Sequence, residues 1–195
     1  MTAISPLQSV HKKGLFGDHH KKNEKDLLNI TEIKNLNVVQ IVQYKNSKIN
    51  LKSMNIDGLE LSLQNSKVTS NQDTRILWSA PKTWLVLSKK EDIVKNIKEE
   101  CSNANFATTD ISHSRAIIKI LGHQANEVLK KGCPINVNEF KKNNCAGSVF
   151  NGINIVIDCI DDKPKNFNLI TLRSFGESLY HHITDASLEL GYVGI

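Results

Sequence analysis

The sequence predicts an α+β fold, built from mixed or antiparallel sheets with helices packed against them. Strand-like runs are joined in places by tight hairpins, helical stretches interrupt them at irregular intervals, and no tandem repeat of fixed period appears. A doubly wound sheet would instead alternate strand and helix throughout.

The order of elements follows from pattern and punctuation. Residues 1 to about 30 are polar and poorly periodic and read as an extended N-terminal arm, leaving residues 31–195 as one α+β domain. Val38-Val39-Gln40-Ile41-Val42 is a strand. Residues 47–63 fit a short helix or another strand equally. The runs 75–80 and 84–88 flank Pro81-Lys82 as a hairpin, with Pro81 suited to position i+1 of a type I turn because its ring fixes φ. A helix follows, with Ser88 and Glu91 spaced as a capping box and Ile93, Ile97 and Cys101 as its inward stripe. Ala116, Ile118 and Ile120 alternate along the next strand. After Gly122 a short helix carries Ala125, Val128 and Leu129, and Gly132 with Pro134 stops it. Asn151-Gly152 between two apolar runs supplies the positive φ angles of a type I′ hairpin turn. A strand at 167–173 leads to the last helix. Ser174 and Glu177 form its capping box, Phe175, Leu179, Ile183, Ala186 and Leu190 form its buried face, and Gly191 ends it.

Composition narrows the function. The chain has 195 residues, so folding hides roughly 70% of the surface of the unfolded chain, enough to dispense with metals and disulfides. Cys101, Cys133, Cys145 and Cys159 show no CxxC spacing and read as reduced, buried small hydrophobes. No stretch approaches a membrane span, and the first residues lack the basic-then-apolar pattern of a secretion signal, so a cytoplasmic location is expected. The net charge of +5 permits a polyanionic partner, but only residues 11–25 are densely basic. No stacking aromatics or recognition helix accompany that charge, so no nucleic-acid partner is expected.

Chemistry-bearing motifs are scarce. There is no dinucleotide-binding GxGxxG, Walker loop, HExxH or GxSxG. The pair His181-His182 lies on a helix, where neighbours diverge by about 100°, and cannot share a metal as an i, i+4 pair could. His19-His20 sits in the basic arm. Asp110, Ser112 and His113 look like triad material, yet residues this close along a strand end point apart, so they are expected to tie down neighbouring backbone. Cys133 follows a helix C-terminus, where the dipole raises a thiol pKa, and reads as inert. No residue is assigned a catalytic, cofactor-binding or metal-ligating role.

Several segments nonetheless resemble one family in sequence order: the hairpin 75–87, Asp110-Ile111-Ser112-His113-Ser114-Arg115, Gly132-Cys133-Pro134 after a short helix, Cys145-Ala146 before a hairpin, and Arg173-Ser174-Phe175 opening the last helix. Ser5-Pro6-Leu7 is a fainter echo. Together they resemble the gamma subunit of heterotetrameric sarcosine oxidase. The resemblance implies a fold similar to the folate-binding domain of the glycine-cleavage T protein. It also implies a role as a subunit without its own active site, held by alpha, beta and delta subunits. There sarcosine is oxidised to glycine at FAD, electrons pass through FMN to oxygen to give hydrogen peroxide, and the one-carbon unit is captured by tetrahydrofolate. NAD and zinc are also expected on the partner subunits. A free-standing folate-binding aminomethyltransferase is the alternative that the shared fold suggests. An iron–sulfur maintenance protein of the same superfamily fits less well, because Lys131-Gly132-Cys133 is not followed by the Gly-Gln-Glu of that family's motif.

Overall fold

The computed structural model describes residues 4–20 and 22–195, with Lys52 described by its backbone alone. The strands and helices run β1 (Gly14–Phe16), β2 (Leu28–Glu32), β3 (Asn37–Gln43), β4 (Val68–Ser70), β5 (Thr74–Ala80), β6 (Thr83–Ser88), α1 (Ile93–Glu100) and β7 (Phe106–Asp110). They continue through β8 (Arg115–Leu121), α2 (Ala125–Gly132), β9 (Cys145–Phe150), β10 (Ile153–Asp162), β11 (Lys165–Leu172), α3 (Gly176–Ser187) and β12 (Tyr192–Gly194). The α+β class is as the sequence predicts.

The division of the chain is not. In place of an arm and one domain, the chain forms two compact units, one made of the residues up to Lys34 together with His113–Ile195, the other of Asn35–Ser112. The reason is the pairing of β2 with β8, which gathers two distant stretches into one sheet around the intervening segment.

The first unit holds a seven-stranded sheet in the order β1-β12-β2-β8-β11-β10-β9, antiparallel except for the β12–β2 pair. One face packs against α2 and α3. Ile118, Ile120, Phe167, Leu169, Ile155 and Ile157 from the strands meet Val128 and Leu129 of α2 and Leu179 and Ile183 of α3. Each fully buried side chain of this size contributes about 1.5–3 kcal/mol. The β9–β10 hairpin forms as expected, with Phe150 opposite Ile153 and positive φ at Asn151 (47°) and Gly152 (84°).

The start of α3 differs from its sequence pattern. A 3-10 turn, Arg173–Phe175, precedes the helix, and the residue at the N-cap position is Phe175, with no side-chain cap. Glu177 turns instead to Ser9, whose hydroxyl it accepts. Phe175, expected on the buried face, is 47% exposed because it belongs to that turn.

The second unit is an antiparallel sheet in the order β4-β5-β6-β3-β7. Its core joins Val39, Ile41, Ile76, Trp84 and Val86 to the α1 stripe Ile93, Ile97 and Cys101. Lys82 takes φ 59°, so the β5–β6 turn is not the type I expected but one that places a left-handed residue after Pro81. Residues 47–63 are neither a regular helix nor a strand. They hold a 3-10 turn at Leu51–Ser53 and a bridge between Ile56 and Leu59, with Asp57 and Gly58 at positive φ between them. The Trp84 indole N–H donates to the Ser62 carbonyl at 2.8 Å and ties this segment to the core.

Ser88 does not cap α1. Its hydroxyl shares a hydrogen bond with Thr74 at 2.8 Å and accepts from the Lys90 N–H at 3.1 Å, while Asp92 takes the N-cap position without a side-chain cap. This buried hydroxyl pair leads to Asp57, which accepts from Thr74 Oγ1 at 2.6 Å, from Asn71 Nδ2 at 3.2 Å and from the Lys90 ammonium. Burial works against the charged carboxylate, but the hydrogen bonds from Lys90, Thr74 and Asn71 outweigh it and hold the pKa below its ordinary value near 3.8. A carboxylate with a depressed folded pKa stabilises the fold above its unfolded pKa, and that stabilisation disappears as pH falls through the folded value. Asp57→Asn keeps the shape and tolerates positive φ. It should lower stability by about 1 kcal/mol at neutral pH, because charge-assisted hydrogen bonds become neutral ones. Urea titrations should show the gap between variant and wild type closing below pH 3.8; a gap that persists unchanged there would reject this role.

Candidate functional site

Among the described residues an open depression of about 700 Å³ lies in the first unit, where β8 and β11 end and α3 begins. Its walls come from three places in the chain: Ser5-Pro6, His113-Ser114, and Leu172-Arg173-Ser174 with Glu177. These are segments of the motifs that carry the sequence resemblance, brought to one surface.

Backbone pairing and close packing explain the convergence. Arg115 and Leu172 form the last pair of the β8–β11 ladder, so the residues beyond them leave the sheet side by side. Gly176 lets α3 approach, since a Cβ there would lie 2.9 Å from the Ala116 Cβ and 3.4 Å from Pro6 Cβ and Leu7 Cδ2. The N-terminal segment turns over this junction with the Leu7 N–H donating to Ser5 Oγ at 3.1 Å and the His11 N–H to the Leu7 carbonyl at 2.8 Å. Leu7 is 0% exposed and belongs to the core of the first unit. Three side-chain hydrogen bonds clamp the segment: Ser5 Oγ donates to Glu32 at 2.5 Å, Arg173 donates to the Ile4 carbonyl, and Ser9 donates to Glu177. The sequence gives no hint of this clamp beyond the i, i+3 spacing of Leu7 and Val10.

The residues with apparent chemistry are otherwise engaged. Ser112 Oγ accepts from the Val38 N–H at 2.9 Å and donates to Asp110 at 2.6 Å, which is the backbone-tying role expected of that strand end. His113 lines the depression and is exposed. All four cysteines are free and buried. Burial pushes the Cys133 thiol up to about 11, against a weaker opposing hydrogen bond involving Ser148. Burial, with Glu100 nearby, does the same for Cys101. Neither supplies a thiolate at neutral pH. His19 and His20 stack on each other at 4.6 Å, and His181 sits edge-on to Tyr180. Among the described residues no group of three or more His, Cys, Asp or Glu converges as metal ligands would, and no helix is long and apolar enough to cross a membrane.

The fold has known counterparts. It is similar to a chain of heterotetrameric sarcosine oxidase from Corynebacterium sp. U-96, solved with pyrrole 2-carboxylate, with a TM-score of 0.77 at 18% identity over 86% of this chain and 87% of that one. It is also similar to the glycine cleavage system aminomethyltransferase T of Bartonella henselae, with a TM-score of 0.63 at 11% identity, covering 88% of this chain and 49% of that one. The chain thus spans about half the length of that aminomethyltransferase. These likenesses define its fold class, an α+β fold also found in that sarcosine oxidase chain and in that aminomethyltransferase. No curated protein matches the chain in sequence. The family model for the sarcosine oxidase gamma subunit matches residues 50–189, and the chain belongs to that family.

Proposed function

We propose that this chain is the non-catalytic gamma subunit of a heterotetrameric, cytoplasmic sarcosine oxidase. In that assembly alpha, beta and delta subunits carry FAD, FMN, NAD, tetrahydrofolate and zinc, and they convert sarcosine to glycine with hydrogen peroxide and methylene-tetrahydrofolate as further products. The family match over residues 50–189 is the observation that carries this reading. The commitment of Ser112, Asp110, Cys101 and Cys133 to structural contacts or buried, protonated states supports it.

The test is reconstitution. The chain purified alone should be colourless and should form no peroxide with sarcosine. Co-expressed with the alpha, beta and delta subunits from the same source, it should co-purify at fixed stoichiometry with sarcosine-dependent peroxide formation. Flavin absorbance or peroxide formation by the isolated chain would overturn the reading. Saturable tetrahydrofolate binding by the isolated chain would favour the aminomethyltransferase-like alternative, which the shared fold with the Bartonella henselae protein keeps in view.

A further inference from the structure

We propose that the depression bounded by Ser5-Pro6, Leu172 and Arg173 is a docking surface for a partner-subunit segment that presents a carboxylate beside an apolar side chain. The proposal rests on reading the chain as a subunit, and it names which surface of the first unit is used and what meets it.

Charge pairing points to the carboxylate. Of the acidic groups nearby, Glu32 pairs with the Lys34 ammonium at 3.4 Å, and Glu177 accepts a neutral hydroxyl from Ser9, so one carboxylate charge stands against two guanidinium charges. Neither guanidinium group has one of these carboxylates as its partner. Among the described residues Arg173 donates only to the Ile4 carbonyl, and Arg115 only to the carbonyl and hydroxyl of Ser114. Each keeps several N–H donors and its full charge without a carboxylate. Arg115 is half-buried, and loss of water lowers its pKa, so the fold bears a desolvation cost there that an incoming anion would offset. Arg115 is paired with Leu172 at the end of the ladder and Arg173 follows Leu172, so two guanidinium-bearing residues sit at the same end of the sheet, a composition suited to forked recognition of a carboxylate.

Exposed apolar groups point to the second half of the ligand. Leu172 is 45% exposed and lines the depression. Ile4, at 69%, and Phe175, at 47%, are chain neighbours of the lining residues Ser5 and Ser174. Aromatic and arginine side chains around an apolar centre are the composition that marks the anchored part of a protein interface. The clamp that holds Ile4 through Arg173 keeps this surface formed before a partner arrives, which reduces the ordering cost of binding.

The test uses the full chain, tagged and co-expressed with the alpha and beta subunits from the same source. The double variant Arg173→Glu with Phe175→Asp should recover at least tenfold less partner than wild type while keeping the wild-type circular dichroism spectrum. Lys95→Glu, on the solvent side of α1 with its side chain 78% exposed, should recover wild-type amounts. Should the double variant melt early, Ile4→Asp carries the same expectation. Wild-type recovery by the folded variants would overturn the docking surface while leaving the subunit reading intact. Failure of the wild-type chain to recover either partner would overturn both. A wild-type homodimer in sedimentation that the double variant dissociates would assign the surface to a second copy and also overturn the proposal.

Discussion

Replacing Leu7 by Ala should lower the stability of the fold by about 2–5 kcal/mol, the range for emptying a fully buried leucine site. Leu7 has no exposed surface, it sits among Ile118, Leu179 and the other residues of the first core, and Gly176 draws α3 against it. A cavity there could close only by moving α3 or β8, both held by their own ladders and helix bonds. The melting temperature should fall by about 2–4 °C per kcal/mol for a chain of this length. This is the reverse of what an arm free of the core would show, since truncating such an arm leaves the melt unchanged. A Leu7→Ala melt indistinguishable from wild type would mean that the N-terminal segment does not hold this position.

Gly191→Ala should be nearly as damaging, for a different reason. The sequence pattern has Gly191 ending α3, but the helix stops at Ser187 and Gly191 follows the turn after it, with φ 72°; a Cβ there would lie 2.5 Å from the Asp18 carbonyl oxygen and 3.0 Å from Leu27 Cδ2. The obstruction is backbone. Asp18 is itself fixed, its N–H donating to the Leu188 carbonyl at 2.7 Å. The substitution therefore combines left-handed strain with a displaced segment, and a loss of about 1–3 kcal/mol or more is expected. Gly58→Ala is the control, because Gly58 has φ 79° but nothing within 4 Å of the added carbon. Chemical denaturation should show the Gly191 variant clearly less stable than the Gly58 variant. Equal losses would show that the approach of residue 18 to the end of α3 has no energetic weight.

Local chemistry made some elements legible and hid others. Asn151-Gly152 demanded positive φ and produced it, and the stripe Ile93, Ile97, Cys101 faced inward because helical spacing leaves it no choice. Both capping boxes had the right letters but did not form: Ser88 is taken by Thr74 and the Lys90 N–H, while Ser174 lies inside the 3-10 turn before the helix and Glu177 accepts from Ser9. Asp57-Gly58 is a left-handed turn pair whose signal was present but flanked by only one bridge's worth of strand. The short strands β1 and β12 exist only because they pair with each other and β12 with β2, a tertiary circumstance that no window of sequence contains. The candidate surface follows the same rule. Its motif words could be read one by one, but their meeting depends on the register of Arg115 with Leu172 and on the absence of a side chain at Gly176.

The pairing of Gly14–Phe16 with Tyr192–Gly194 also sets a timetable. On a ribosome, Asn35–Ser112 can form its sheet from its own residues as soon as that stretch has emerged, since every strand partner lies inside it. The residues before it cannot. β1 has no hydrogen-bonding neighbour until β12 is made, and Leu7 has no pocket until α3 is made. Bringing such distant stretches together is entropically slow. Until then the nascent chain carries an unpaired basic stretch and an exposed β2 edge ahead of a finished inner module, a species open to proteases and chaperones.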